Sequence, residues 1–189
     1  MEALRKESRY TYADYSKWDD DARYELIDGV SYLMSPAPSR THQELLTNIF
    51  GQLYNFLKDK PCKVYPAPFD VRLNAAGDDD DTVVQPDIVV ICDKSKLDDK
   101  GCNGAPDMVI EILSPSSAAR DRVLKFNRYL QAGVREYWIV EPAGRTVIIH
   151  RLESGKYVTN AYSETDAAPV SILEGCVINL ADVFADVDV

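Results

Sequence analysis

A glutamate in the middle of an apolar segment constrains this chain more than any other sequence feature. The run over 108–113 reads Met-Val-Ile-Glu-Ile-Leu, as expected of a central strand that is covered on both faces. The alternation of a strand puts Glu111 on the same face as Val109 and Leu113. Because an unpaired carboxylate among such neighbours is strongly unfavourable, Glu111 is expected to be neutralised, paired with a basic side chain or bound to a metal ion. An arginine of the following helix is a candidate for the basic partner.

A second carboxylate opens another apolar strand. Gln85 and Pro86 precede Asp87 at the start of the run Ile-Val-Val-Ile, and proline is tolerated at a strand start. Carboxylates on neighbouring strands repel each other unless a cation lies between them. Mg²⁺ is typically held by one or two carboxylates, with water and phosphate oxygens completing its coordination. Asp87 and Glu111 therefore predict a site for Mg²⁺ or Mn²⁺.

The order of elements predicts a mixed α/β sheet domain. Asp28-Gly29 is typical of a two-residue hairpin turn. Thr41 is predicted to cap the first long helix, and Ser116 or Ser117 the second. The predicted elements are a hairpin over 23–34, a helix over 41–58, strands over 64–73, 83–92 and 107–114, a helix ending near 132, a strand over 135–140, a hairpin over 145–152 and 156–162, and a short strand near 177–180.

The second helix has an apolar stripe and a polar row beside it. Ala119, Val123, Phe126 and Leu130 are predicted to face the core. Asp121, Lys125 and Tyr129 recur at a spacing of four residues and form the neighbouring row. A separate acidic run over 78–81 is predicted to be a solvated turn.

Composition excludes several classes of protein. The chain has 189 residues, of which 46% are hydrophobic, and its net charge of −10 argues against a broadly basic protein that coats nucleic acid. No long apolar run or signal peptide is visible, so a cytoplasmic protein is expected. The cysteines lack a C-x-x-C pair and are predicted to be reduced thiols. They are Cys62, Cys92, Cys102 and Cys176.

Several collinear motifs resemble those of the PD-(D/E)XK nuclease superfamily and, more narrowly, of the Uma-two family of restriction-type endonucleases. The motifs are 24–29 (YELIDG), 34–38 (MSPAP), 85–87 (QPD), 111–116 (EILSPS) and 133–140 (GVREYWIV). The resemblance implies a restriction endonuclease-like α/β (α+β) fold, with a mixed central sheet flanked by helices and extra β-hairpins at both ends. It also implies a Mg²⁺-dependent nuclease site. We expect one domain over 1–189, with a nuclease core at about 22–141 and a β-rich extension at about 145–189.

The chain departs from the superfamily pattern at Leu113, where the motif normally ends in a lysine. A cation is wanted there to position the attacking water and to stabilise charge in the transition state. Lys125 is the expected substitute, since a lysine stem on the next helix could reach back to the sheet. The alternative is a solvated Lys125 that is paired with Asp121.

Further residues are candidates for the site. The resemblance implies that Glu25 is an additional metal ligand, whereas the residues alone favour an exposed hairpin glutamate. His42 is either a phosphate contact or outer-shell base, or an ordinary residue at a helix start. Gln85 is a candidate for orienting a ligand or contacting the substrate. Asp121 and Tyr129 are expected beside Lys125.

Three functions remain open from the sequence. The first is a Mg²⁺-dependent endonuclease acting on DNA, which would use a local basic surface and could form a homodimer to cut both strands. That surface would comprise Arg40, Arg120, Arg122, Lys125 and Arg128. The second is a catalytically impaired nuclease fold that serves as a binding or oligomerisation module. In that case, Leu113 in place of the motif lysine indicates the loss of activity. The third is a nuclease directed at RNA or at junctions.

Overall fold

Two six-stranded sheets and a short third sheet make up the fold of the computed structural model, which describes residues 9–19, 22–34, 37–115, 118, 120–185 and 187. The strands are β1 (Tyr24–Ile27), β2 (Val30–Leu33), β3 (Lys63–Pro66), β4 (Val71–Arg72), β5 (Val83–Val84), β6 (Ile88–Ile91), β7 (Leu97–Asp98), β8 (Gly101–Asn103), β9 (Met108–Ile112), β10 (Glu136–Glu141), β11 (Thr146–Glu153), β12 (Lys156–Ser163), β13 (Ala167–Pro169) and β14 (Val177–Asn179).

The first sheet has the order β2-β1-β5-β4-β8-β7, and the second has the order β12-β11-β10-β9-β6-β3. Strands β13 and β14 pair separately. The second sheet is mixed, because β9 and β10 are parallel and the other pairs are antiparallel. The α+β class is thereby confirmed, although the amino-terminal hairpin belongs to the first sheet rather than to the sheet that contains the central strands β6 and β9.

The helices are α1 (Tyr12–Tyr15), α2 (Arg40–Leu57), α3 (Phe126–Ala132) and α4 (Leu180–Phe184). A π-helical segment, Arg120–Lys125, leads directly into α3. Short 3₁₀ turns occur at Gly77–Asp79 and Lys94–Lys96. None of the helices in the described ranges combines the length and apolar character that a membrane crossing requires.

Prolines divide two of the predicted strands between the sheets. The segment over 64–73 forms β3 in the second sheet and β4 in the first, with a cis peptide bond before Pro68 between them. The segment over 83–92 forms β5 in the first sheet and β6 in the second, on either side of Pro86. Proline lacks the N–H that a continuous ladder needs, so the chain changes sheet at these points. Gln85 and Asp87 consequently lie where the two sheets meet.

The predicted central strands are confirmed, because β6 and β9 are buried throughout. Ile88 and Ile110 pack against α2 on one face of the second sheet. Val89 and Val109 belong to the apolar cluster on the other face, together with Tyr129 of α3. The second sheet is thus covered on both faces.

Helix α2 begins earlier than predicted. Ser39, rather than Thr41, is the N-cap: its backbone is extended, and its hydroxyl accepts the N–H of His42 at 3.2 Å. The buried stripe of Leu45, Ile49 and Leu53 is as predicted. With Ser39 as the N-cap, His42 is the third residue of the helix.

The predicted core stripe of the second helical segment was wrong at Val123, whereas Phe126 packs against the apolar cluster as predicted. Val123 is 57% exposed, whereas the polar row Asp121, Lys125 and Tyr129 is buried. The helix turns this row towards the sheet because Glu111 offers it a charged partner there. Gly133 ends α3 in a left-handed conformation with φ of 84°, as predicted. Ser116, Ser117 and Ala119 lie outside the described residues.

Two of the predicted reduced cysteines are instead bonded to each other. Cys62 and Cys92 form a disulfide, whereas Cys102 and Cys176 are free and buried. Cys62 precedes β3 and Cys92 follows β6, and the antiparallel register of these strands brings the two residues side by side. The sequence separation of 30 residues contains no motif that could have indicated this pairing.

The acidic run over 78–81 is only partly solvated. Asp78 and Asp79 are exposed as predicted, but Asp80 is fully buried. The Asp80 carboxylate accepts the backbone N–H groups of Asn74 and Thr82, both at 2.9 Å. These hydrogen bonds to backbone donors stabilise the turn and explain why a carboxylate is buried there.

Glu136 is a buried carboxylate in a wholly different environment from Glu111. It accepts hydrogen bonds from the Trp138 indole at 2.6 Å, from the backbone of Ser171 at 2.8 Å and from the Ser171 hydroxyl. Its donors are neutral, and they tie the segment that follows β13 to the second sheet.

We expect Glu136→Gln to lower the free energy of unfolding by about 1–3 kcal/mol, because the new amide nitrogen cannot accept these hydrogen bonds. Urea denaturation followed by circular dichroism measures the change. The matched control is Glu153→Gln at an exposed strand end. Equal midpoints for the two variants would contradict the prediction.

Candidate active site

A cavity of about 1080 Å³ lies where the first hairpin, the start of α2, the central strands and the π-helical segment come together. Every predicted site residue except Tyr129 lines it, and Tyr129 lies directly behind Glu111. The predicted residues along its wall are Glu25, His42, Gln85, Asp87, Glu111, Asp121 and Lys125.

Asp87 and Glu111 occupy opposed positions at one end of the central strand pair. The register of β6 and β9 pairs Ile88 with Ile110 and Val89 with Val109. Continued by one residue, it sets Asp87 opposite Glu111 on the same face of the sheet. One oxygen of Asp87, Oδ2, accepts the N–H of Ile112 at 2.7 Å. The strand ladder therefore determines where both carboxylates lie.

The Lys125 ammonium lies among three carboxylates. Its Nζ is 2.7 Å from Glu25 Oε1, 2.9 Å from Glu111 Oε1 and 3.4 Å from Asp121 Oδ1. The Lys125 and Glu111 side chains are only 4% and 5% exposed. Glu111 is thus paired with a lysine rather than with an arginine. Neither a solvated Lys125 nor an exposed Glu25 matches the structure.

The acidic groups of this cluster favour the charged form of Lys125 and oppose the charged form of Glu111. Burial lowers the pKa of Lys125, but the carboxylates of Glu111, Glu25 and Asp121 outweigh burial and raise it well above its ordinary value. Burial raises the pKa of Glu111, as do Asp121, Asp87 and Glu25, against the attraction of Lys125. Lys125 therefore stays charged, and the acidic groups around it outnumber it.

Tyr129 fixes the orientation of Glu111. Its hydroxyl donates to Glu111 Oε1 at 2.7 Å, the same oxygen that contacts Lys125. Burial, followed by the charge of Glu111, raises the pKa of Tyr129 well above its ordinary value. The phenol remains a hydrogen-bond donor as a result.

His42 holds Asp87 from the first turn of α2. His42 Nε2 lies 3.2 Å from Asp87 Oδ2. Burial lowers the pKa of His42, but the hydrogen bond and charge of Asp87 outweigh burial, so that its pKa is raised overall. His42 Nδ1 is buried and has no hydrogen-bond partner within the described ranges. The residue is therefore part of the site rather than only a helix-start residue.

Gln85 connects the two sheets at the site. Its backbone N–H donates to Glu25 Oε1 at 3.0 Å. Its side-chain Nε2 donates to Tyr15 Oη at 3.0 Å and to Asp70 Oδ1 at 2.7 Å, and its Oε1 accepts from Arg23. Sequence reasoning missed Tyr15, Arg23 and Asp70, which lie in three separate segments without any shared motif.

The expected basic surface is largely neutralised. Arg40 is 3.1 Å from Glu44, Arg122 is 2.5 Å from Glu141, and Arg128 is 2.5 Å from Asp28. Lys125 is buried, and the Arg120 side chain lies outside the described residues. The predicted basic surface therefore carries less uncompensated positive charge than the sequence suggested.

The donors at the cavity suit a magnesium ion held by two carboxylates. In the described part of the chain, no group of three or more His, Cys, Asp and Glu side chains is arranged to hold a metal. Mg²⁺ needs only one or two carboxylates when water and phosphate complete its shell. The contacts of Asp87 within these ranges use Oδ2, and those of Glu111 use Oε1. Their second oxygens, Oδ1 and Oε2, remain for a cation in the cavity.

Comparisons with known proteins identify the family and the fold. The family described as "Uma2: Putative restriction endonuclease" matches residues 12–181. An uncharacterized protein of Synechocystis sp., slr1290, is 25% identical over 157 residues, which cover 81% of this chain and 80% of that protein. A crystal structure of a putative nuclease belonging to DUF820 from Anabaena variabilis shares the fold, with a TM-score of 0.74 and 20% identity over 93% of this chain and 98% of that one. The family match confirms the resemblance found in the motifs.

Proposed function

Because the chain belongs to the Uma2 family of putative restriction endonucleases, we propose that it is a divalent-cation-dependent endonuclease that hydrolyses phosphodiester bonds of DNA. Asp87 and Glu111 would hold Mg²⁺ or Mn²⁺, and Glu25, whose Oε1 contacts Lys125 and the Gln85 N–H, would become a further acidic ligand only if its side chain moved towards the metal. One observation carries the proposal: carboxylates from both sheets meet at one cavity around a single buried ammonium.

The carboxylates of Asp87 and Glu111 supply negative charge at the cavity, where a metal ion would be close to the scissile phosphate. When bound, Mg²⁺ activates a water molecule and neutralises charge on the scissile phosphate. Asp87 Oδ2 is already engaged by His42 and by the Ile112 N–H, and Glu111 Oε1 by Lys125 and Tyr129. These contacts fix the direction of each carboxylate, and such supporting hydrogen bonds commonly tune metal affinity.

Lys125 takes the place of the lysine that the superfamily motif carries at the position of Leu113. Its ammonium is held 2.9 Å from Glu111 although the residue belongs to a different element. A positive charge that is fixed before the reaction stabilises negative charge developing on phosphate oxygens, with little reorganisation. Asp121 and Glu25 support this role by keeping Lys125 charged.

The overall charge favours selective rather than general binding of DNA. A net charge of −10 opposes non-specific association with a polyanion. A homodimer with two-fold symmetry would present two sites to the two strands of a duplex. We propose this assembly for double-strand cleavage.

Plasmid nicking combined with isothermal titration of Mg²⁺ and Mn²⁺ tests the proposed function. We expect cleavage in either metal, none in excess EDTA, and metal binding to the protein alone. Metal binding without cleavage of DNA or RNA would support the binding or oligomerisation module instead. Cleavage confined to RNA or to branched DNA would support the third hypothesis, and cleavage that persists in EDTA would overturn the metal-dependent mechanism.

A further inference from the structure

Arg23 differs from the other basic residues of the cavity wall in its partners. Among the described residues, four basic side chains line the cavity: Arg23, His42, Arg122 and Lys125. His42, Arg122 and Lys125 each pair with a carboxylate. Arg23 forms no ion pair within the described residues, and its guanidinium contacts only the neutral amide oxygen of Gln85. Its positive charge is thus available to a ligand.

The Arg23 guanidinium is nevertheless held in a defined place. Its Nε and Nη2 donate to Gln85 Oε1 at 3.0 Å and 2.5 Å. Gln85 is buried, and its amide nitrogen is fixed in turn by Tyr15 and Asp70. A guanidinium has five N–H donors, and these two hydrogen bonds leave the others for an incoming group. The arrangement resembles a binding site that is formed before its ligand arrives.

Gln85 also sets the position of Arg23 relative to the carboxylates. While the Gln85 side chain holds Arg23, the backbone N–H of the same residue donates to Glu25 Oε1 at 3.0 Å. Asp87 follows two residues later. A group bound to Arg23 therefore lies in the same cavity as Glu25 and Asp87. The segment over 85–87 fixes the position of Arg23 relative to these two carboxylates.

We propose that Arg23 binds a phosphate of the nucleic-acid backbone beside the bond to be cut, and that Gln85 is its positioning residue. The proposal rests on the proposed function and adds a substrate-binding residue to it. Guanidinium groups match phosphate oxygens in a bidentate geometry, so Arg23 suits a phosphodiester better than an ammonium would. An unpaired arginine is also consistent with an otherwise acidic protein that must still hold a polyanion.

Binding of a fluorescein-labelled DNA duplex in EDTA, measured by fluorescence anisotropy at several salt concentrations, tests this role without cleavage. We expect Arg23→Gln to raise the Kd about tenfold and to reduce the slope of log K against log salt by about 0.9, as for one lost phosphate contact. The Kd of Arg23→Lys should lie between those of the wild type and Arg23→Gln, because lysine keeps the positive charge but cannot form the bidentate hydrogen bonds of a guanidinium. Gln85→Leu keeps its backbone N–H but should weaken binding through Arg23. In the double variant, adding Gln85→Leu to Arg23→Gln should reduce the affinity for the duplex only a little further.

Arg135→Gln is the matched control, since Arg135 is 57% exposed and does not line the cavity. It makes the same change in net charge and should leave the Kd within about twofold of the wild type. Thermal unfolding verifies that each variant is folded. If Arg23→Gln does not fold, the Kd of Arg23→Lys is compared with that of the wild type instead. If the wild type binds and cuts DNA while both Arg23 variants bind equally well, this inference fails and the proposed function stands. If the wild type neither binds nor cuts, both fail.

Discussion

Replacing Lys125 with methionine is expected to lower the free energy of unfolding by about 3–5 kcal/mol. The substitution preserves much of the side-chain volume but removes the ammonium that contacts Glu25, Glu111 and Asp121. Three carboxylates would then be buried without their shared cation, which is far more unfavourable than losing an exposed ion pair. Urea denaturation measures the loss.

Two further variants make this result specific. Lys94→Met applies the same change to an exposed lysine and should shift stability by less than about 0.5 kcal/mol. Adding Glu111→Gln to Lys125→Met removes one of the stranded charges and should recover part of the lost stability. A Lys125→Met protein within about 1 kcal/mol of the wild type would show that the carboxylates do not depend on this cation.

Glu111→Gln is expected to reduce metal-dependent DNA cleavage by about a hundredfold or more, since losing several kcal/mol of transition-state stabilisation has at least that effect. Glutamine keeps the shape of the side chain and an oxygen that can accept from Lys125 and Tyr129. It lacks the charge by which Glu111 would hold the metal. Plasmid nicking under single-turnover conditions measures the rate, and isothermal titration measures Mg²⁺ affinity.

The control for Glu111→Gln is Glu136→Gln on the adjacent strand. Glu136 is equally buried, but its partners are the neutral groups of Trp138 and Ser171. Its substitution should reduce stability while leaving cleavage per folded molecule within about threefold of the wild type. Equal losses of cleavage in the two variants would mean that Glu111 acts through the fold rather than through the chemistry.

The charged anomaly at Glu111 made much of the site predictable from the sequence. Its burial predicts an arginine of the following helix or a metal ion as partner, and the superfamily resemblance indicates Lys125 as the substitute for the lysine missing at Leu113. The structure brings together Glu111, Lys125, Asp121 and Tyr129. The exposure of Val123 and the full burial of the polar row were not predicted, because the apolar residues at 123, 126 and 130 suggested that the adjacent face packs against the core. The ion pairs of Lys125 with Glu111 and Glu25 influence which face of the helical segment is buried more than the spacing of its apolar residues does.

Other features depend on contacts that no local pattern encodes. The chain passes from one sheet to the other at Pro68 and at Pro86. From the sequence, the segments over 64–73 and 83–92 are each predicted to be one continuous strand. The Cys62–Cys92 bond follows from the register of β3 and β6. Arg23 is an ordinary residue at the start of a hairpin until the fold brings Gln85 to it.

The crossings of the chain between its two sheets limit how far this protein can be shortened. Glu25 comes from the smaller β-layer, Glu111 comes from the larger one, and Gln85 lies at the crossing between them. A minimal scaffold that retained only the larger layer would keep Asp87 and Glu111 but lose Glu25, which is a partner of Lys125. Engineering for compactness must therefore keep the first hairpin together with the crossing at Gln85.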